Sequence, residues 1–145
     1  MSINYIININ TINYNEKNIN LKATKEELDE LKDFLEIIKV TFLSFEGTLK
    51  KVKQDVVLNG VLKAEILQEC GVTTEEITSI LQIIVNRTFR SARTMEKREK
   101  QKDVDLYYEE DEIDILENDN LNLASIIREE LVLEIDPYVK KQSDL

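Results

Sequence analysis

Between Val56 and Ile66 the chain reads V-V-L-N-G-V-L-K-A-E-I, and Val56, Leu58, Gly60, Leu62, Ala64 and Ile66 are all small or apolar. A period of two marks a strand with one face on a core, because successive side chains point to opposite faces. Asn59-Gly60 is also a strong dipeptide for a two-residue hairpin. The two readings exclude each other. A reversal there would align Val56, Leu58, Val61, Lys63 and Glu65, mixing core with charge, since a slip of one residue exchanges the faces. The spacing predicts one unbroken strand over 54–69, with Gly60 as a bulge or a point of close packing.

Other elements follow from the same reasoning. Tyr5, Ile7 and Ile9 alternate with asparagines and predict a strand over 3–10. Thr24-Lys25-Glu26-Glu27 is a capping box, in which the Thr and Glu side chains satisfy free backbone donors reciprocally. Leu28, Leu31, Leu35 and Ile38 follow at helical spacing, with Phe34 widening the stripe, so a helix is expected over 24–37. Residues 39–47 return to period two and end as a strand near Gly47. Residues 73–90 fit either periodicity. The β-branched residues of their second half favour a strand over 77–89. A helix over 122–135 carries Ile126, Ile127 and Leu131, has Asn122 as a cap, and stops before Pro137.

Charge organises the stretch between those last two elements. Residues 87–102 hold seven Lys or Arg against two Glu, and residues 103–119 hold nine Asp or Glu with no cation. Such blocks stay solvated, so 91–120 is expected to be a charged, flexible loop. Ile113 and Ile115 have the spacing to rejoin the sheet. The resulting expectation is an α+β single domain spanning 1–145, with an antiparallel sheet packed by two helices.

Composition excludes several function classes. The 145 residues carry 29 Asp plus Glu against 19 Lys plus Arg, a formal charge of −10. A field of that sign disfavours DNA and anionic membranes. The sequence has no histidine, which removes Ser-His-Asp triads, imidazole bases and nearly all zinc sites. Its one cysteine permits no internal disulfide and suits a reducing cytoplasm. No secretory signal pattern and no apolar run long enough to span a membrane occur. Glycine is too sparse for a phosphate-binding loop, so no nucleotide or other cofactor is expected.

Three clusters could still carry chemistry. Arg87, Arg90, Arg93, Lys97, Arg98, Lys100 and Lys102 form the concentrated positive stretch and could grip RNA phosphates; alternatively they neutralise the adjacent acidic block. Phe89 is the sole interleaved aromatic, which gives little stacking support. Asp105, Glu109, Glu110, Asp111, Glu112 and Asp114 could hold a divalent metal, or could meet a basic partner. A calcium loop starting at Asp103 would place Tyr107 at its fifth position and Tyr108 where the glycine belongs, so that pattern fails. Cys70 lacks any histidine to activate it and lies on the apolar parity of the long strand, so packing is its expected role and no metal site is expected.

Two segments, read in order, resemble the YceD family of large ribosomal RNA subunit accumulation proteins. In residues 56–77, Gly60, Leu62, Ala64, Gln68, Cys70, Val72, Thr73 and Glu75 stand where that family's long strand and following turn have them. In residues 120–141, a helix with E-E-L leads to Asp136, Pro137 and Tyr138 and then basic residues. The first helix is similar to the family's L-x-A-x-x-x-E stretch. Thr74 and Glu76 depart from the family's Leu and Pro. The absence of a C-x-R-C pair looks like its alphaproteobacterial branch.

The resemblance implies a non-enzymatic part in the synthesis, processing or accumulation of large-subunit ribosomal RNA. The expected partner is a large-subunit ribosomal protein or pre-ribosomal particle; the charge switch, not the resemblance, nominates Arg87, Arg90, Arg93, Lys97 and Arg98 as candidate RNA contacts. Glu109, Glu110, Asp111, Glu112 and Asp114 would meet the basic partner. The alternatives are a metal-dependent nuclease acting on precursor RNA and a general protein-interaction adaptor.

Overall fold

A computed structural model describes residues 6–93 and 113–138. Its centre is a five-stranded sheet in the order β2-β3-β4-β5-β6, formed by Lys17–Lys22, Lys39–Val52, Asp55–Glu69, Glu76–Ser91 and Ile113–Leu116. The first four strands run antiparallel in a meander and β6 joins β5 in parallel, so the sheet is mixed. A separate ribbon pairs β1 (Ile6–Asn8) with β7 (Asn120–Asn122). Two helices, α1 (Lys25–Leu35) and α2 (Leu123–Glu134), join the same core as one face of the sheet. The α+β class is as the sequence predicts.

The strand over 54–69 is continuous. Val56, Leu58, Leu62, Ala64 and Ile66 are buried on one face of β4, and no reversal occurs at Asn59-Gly60. Gly60 lies directly opposite Gly47 of β3. A Cβ on Gly60 would come within 2.6 Å of the Phe45 ring and 2.7 Å of the Glu46 carbonyl oxygen. Of the two roles expected for Gly60, close packing is the observed one.

The hairpin that does exist turns at Lys53-Gln54, with Val52 opposite Asp55 and Lys53 in the left-handed region at φ 57°. Strand β3 therefore runs five residues beyond the expected end at Gly47. Lys-Gln carries none of the Gly or Asn signature of tight turns; a long register of paired strands on either side holds this one. Near its start β3 has a bulge between Val40 and Phe42. The extra residue reverses parity, so Val40 shares the core with Leu43 and Phe45 while Phe42 stays outside.

Other differences lie at the edges. Residues 17–22, K-N-I-N-L-K, form an edge strand whose only buried side chains are Ile19 and Leu21, too short an alternation to stand out. The strand expected over 3–10 is Ile6–Asn8, and it pairs with β7 rather than the main sheet. Within the expected charged loop, Ile113–Leu116 and Asn120–Asn122 are strands. The remainder of that loop, from 94 to 112, lies outside the described residues.

Both helices match their sequence signals. Thr24 Oγ1 accepts from the Glu27 amide at 3.3 Å, and Glu27 Oε1 accepts from the Thr24 amide at 2.8 Å. Helix α1 stops at Leu35 because Glu36 turns left-handed, letting the Ile37 amide bond Lys32 O at 3.2 Å and the Glu36 amide bond Asp33 O at 3.3 Å. That is a Schellman ending without glycine. Asn122 caps α2 through the amides of Ala124 and Ser125.

Candidate functional site

The positive residues at the end of β5 meet carboxylates of this same chain. Arg87 Nε donates to Asp114 of β6 at 2.9 Å, and its Nη1 lies 2.8 Å from Glu129 and 3.8 Å from Glu130 of α2. Its guanidinium also stands 5.8 Å from the Phe89 ring centre. Burial pulls the Arg87 pKa down, but the hydrogen bonds and negative charges of Asp114 and Glu129 outweigh it and leave the pKa above its ordinary value. This one side chain ties β5, β6 and α2 together.

Arg90 is buried. Its Nε and Nη2 donate to Asp55 Oδ1 at 2.6 Å and Oδ2 at 2.8 Å, a bidentate pair across the β4–β5 ladder. Its fork faces the interior, away from any phosphate. Arg93 is mostly exposed, and its Nη2 donates to Asp119. Asp119 sits left-handed at φ 61° just before β7. Its carbonyl accepts from the Ile9 amide at 2.9 Å, and its carboxylate accepts from Asn10 Nδ2 at 3.2 Å. Hydrogen bonds from Ser91, Asn10 and Arg93 hold the Asp119 carboxyl below the usual range, against the opposing pull of burial. The N-terminal ribbon, the β6–β7 turn and the end of β5 converge on this acid.

Lys97, Arg98, Glu109, Glu110, Asp111 and Glu112 lie outside the described residues. Asp114, expected to meet a basic partner, is engaged by Arg87. Among the described residues no group of three or more His, Cys, Asp or Glu side chains could hold a metal. No helix among them is long and apolar enough to cross a membrane.

Several of the residues that carry the resemblance are tied into the fold, while Val72 and Tyr138 stand 69% and 79% exposed. Cys70 is buried at the start of the β4–β5 turn; its amide donates to Glu75 O at 2.7 Å, and its sulfur accepts from the Val72 amide at 3.5 Å. Thr73 Oγ1 accepts from the Glu75 amide at 3.4 Å. At the far end of the chain, Asp136 Oδ1 accepts from the Tyr138 amide at 2.8 Å, closing a turn around Pro137. Buried Gln68 of β4 donates Nε2 to Asp136 O at 2.8 Å. The long strand and the D-P-Y turn are thus joined.

A shallow groove of about 600 Å³ lies between the helices, lined by Phe34, Ser125, Arg128, Glu129, Val132 and Leu133. Arg128 stacks on Phe34 at 5.4 Å from the ring centre and donates to Ser125 Oγ at 3.4 Å. Phe34 therefore sits at the solvent side rather than in the core stripe. Sequence periodicity had no means of finding this groove, because it joins residues far apart along the chain. The same holds for Asp55, Asp119 and Glu129, whose partners lie tens of positions away.

These features define an α+β sheet scaffold, with Arg87, Arg90 and Arg93 paired to carboxylates of the same chain and a mainly apolar groove lined by its helices. The family model described as "Large ribosomal RNA subunit accumulation protein YceD" matches residues 58–145, more than half of the 145-residue sequence, and the chain belongs to the YceD family. The match starts within β4, so α1 and β3 lie outside it. No curated protein and no solved structure matches the chain.

Proposed function

We propose that this chain supports accumulation of large-subunit ribosomal RNA by binding rather than by catalysis, and that its direct partner is a basic large-subunit ribosomal protein. Membership of the YceD family carries the ribosomal part of this reading. The preference for a protein over RNA rests on the arginines. Arg87 and Arg90 are engaged by Asp114, Glu129 and Asp55, so the fold uses two of the cations that phosphate would need. Arg93, with Lys97 and Arg98, forms the remaining candidate RNA contact.

The formal charge of −10 steers basic partners toward the chain. Glu109, Glu110, Asp111 and Glu112 are the acids proposed to meet them. The groove between the helices offers an apolar side chain a foothold beside Arg128 and Glu129. The single cysteine suits a binding role in the reducing cytoplasm.

Affinity capture from lysate, with and without ribonuclease, tests the proposal. A large-subunit protein retained after ribonuclease supports direct protein contact. Loss of all ribosomal protein after ribonuclease moves the contact to RNA. Recovery of neither ribosomal protein nor ribosomal RNA sinks the reading. In the RNA case, Arg93→Gln, Lys97→Gln and Arg98→Gln together should weaken binding and flatten its salt dependence.

A further inference from the structure

Strand β6 pairs with β5 only at Thr88–Ser91, so the outer edge of β5 from Glu76 to Arg87 has no strand partner among the described residues. Sheet edges of this length are ordinarily protected by charge, proline or bulges. The opposite edge follows that rule: β2 is six residues long and begins and ends with lysine. The β5 edge does not. Ile77 to Asn86 reads I-T-S-I-L-Q-I-I-V-N, ten residues without a charge in a chain that is 33% charged. Ile80 and Ile84 stand 81% and 79% exposed on its outer face. The ladder to β4 runs without a register shift along the whole stretch, so no bulge protects the edge.

The order of residues along this edge is self-complementary. An antiparallel pairing of two β5 strands about a two-fold axis at Gln82 sets Gln82 against Gln82. On the outer face it sets Ile80 against Ile84 and Thr78 against Asn86. On the inner face it sets Leu81 against Ile83 and Ser79 against Val85. Every apolar residue of the outer face meets an apolar residue, and no charge is opposed until Arg87 at the ends. Cross-strand apolar pairs of this kind are what stabilise antiparallel ladders. On the outer face Ile84 also neighbours Val61 of β4, so the apolar strip would continue from one sheet into the next.

We infer that β5 is the dimerisation edge of this protein, and that its occupant is a second copy of the chain, so that β2-β3-β4-β5 of one copy continues into β5-β4-β3-β2 of the other, with each β6 beside the end of its own β5. A closed two-fold arrangement also removes the exposed edge from both copies. Two copies of charge −10 repel at a distance, so salt should tighten the dimer by screening that repulsion.

Sedimentation of the full chain over a range of micromolar concentrations tests the inference. The expected mass is twice 16.9 kDa, with dimer fraction rising at higher salt. Ile80→Lys with Ile84→Lys opposes like charges across each pair and should return the mass to 16.9 kDa. Both side chains are exposed, so the circular dichroism spectrum should be retained and Tm should fall only by the loss of the dimer, ceasing to depend on concentration. Ile80→Lys with Ile84→Glu opposes unlike charges in this register and should restore the dimer. Gln82→Cys should form an intermolecular disulfide on oxidation, whereas wild type, whose Cys70 is buried, should not. A wild-type monomer at all concentrations overturns the inference, including one whose β5 amides are protected from exchange by another part of the chain. A dimer that survives the double lysine substitution overturns it too.

Discussion

Gly60→Ala is the sharpest probe of the sheet. The added methyl carbon would meet Phe45 Cζ at 2.6 Å, Glu46 O at 2.7 Å and Gly47 Cα at 2.9 Å, all closer than carbon atoms tolerate. Two of the three are backbone atoms inside a fully paired ladder. The third belongs to a ring that is 1% exposed in the core. Overpacking of this kind costs about 1–3 kcal/mol. Alanine recovers about 0.4–1 kcal/mol by restricting the unfolded chain. The net loss should be about 1–2 kcal/mol, which in a domain of this size lowers Tm by roughly 2–8 °C. Urea unfolding followed by circular dichroism measures it. Phe45→Leu, which removes the ring tip, should couple to Gly60→Ala by about 0.5 kcal/mol or more, so the double variant loses less than the sum of the singles. A neutral or stabilising Gly60→Ala, or strict additivity with Phe45→Leu, would refute the close approach of β3 and β4 at this point.

Three further expectations concern stability. Asp55→Ala takes the carboxylate from a buried guanidinium and should cost about 3–5 kcal/mol in urea unfolding, whereas Arg90→Met with Asp55→Leu should recover most of that loss, because an apolar pair of similar volume carries no desolvation cost. The Asp119 carboxyl has its pKa lowered in the folded state, so its contribution is complete above the unfolded value near about 4 and fades as pH falls through the lower folded value. Asp119→Asn should therefore be less stable than wild type at neutral pH, with the gap narrowing under acid titration; a gap independent of pH contradicts the assigned hydrogen bonds. Glu36→Gly relieves a left-handed non-glycine residue at φ 56° and should raise stability by up to about 1 kcal/mol.

The parts of the fold that could be read in advance are those governed by local pattern. The capping box at Thr24 and Glu27, the unbroken strand through Gly60 and the Asn122 cap each follow from a few neighbouring residues. The parts that escaped are governed by distant ones. Lys53 and Glu36 adopt left-handed conformations with no glycine to announce them, held by the strands or helix turn beside them. Strand β6 joins β5 in parallel along Thr88–Ser91, a pairing of residues more than twenty positions apart in the sequence. The carboxylate partners of Arg87, Arg90 and Arg93, namely Asp114, Glu129, Asp55 and Asp119, are invisible until the chain is folded.

Sucrose-gradient sedimentation of cell lysate tests the ribosomal role most directly. The tagged chain should travel with large-subunit precursors, remain there through its protein contact, and leave the mature subunit fractions depleted when the chain is removed from the cell. A chain found only at the top of the gradient, with large-subunit ribosomal RNA unchanged by its removal, would contradict the account.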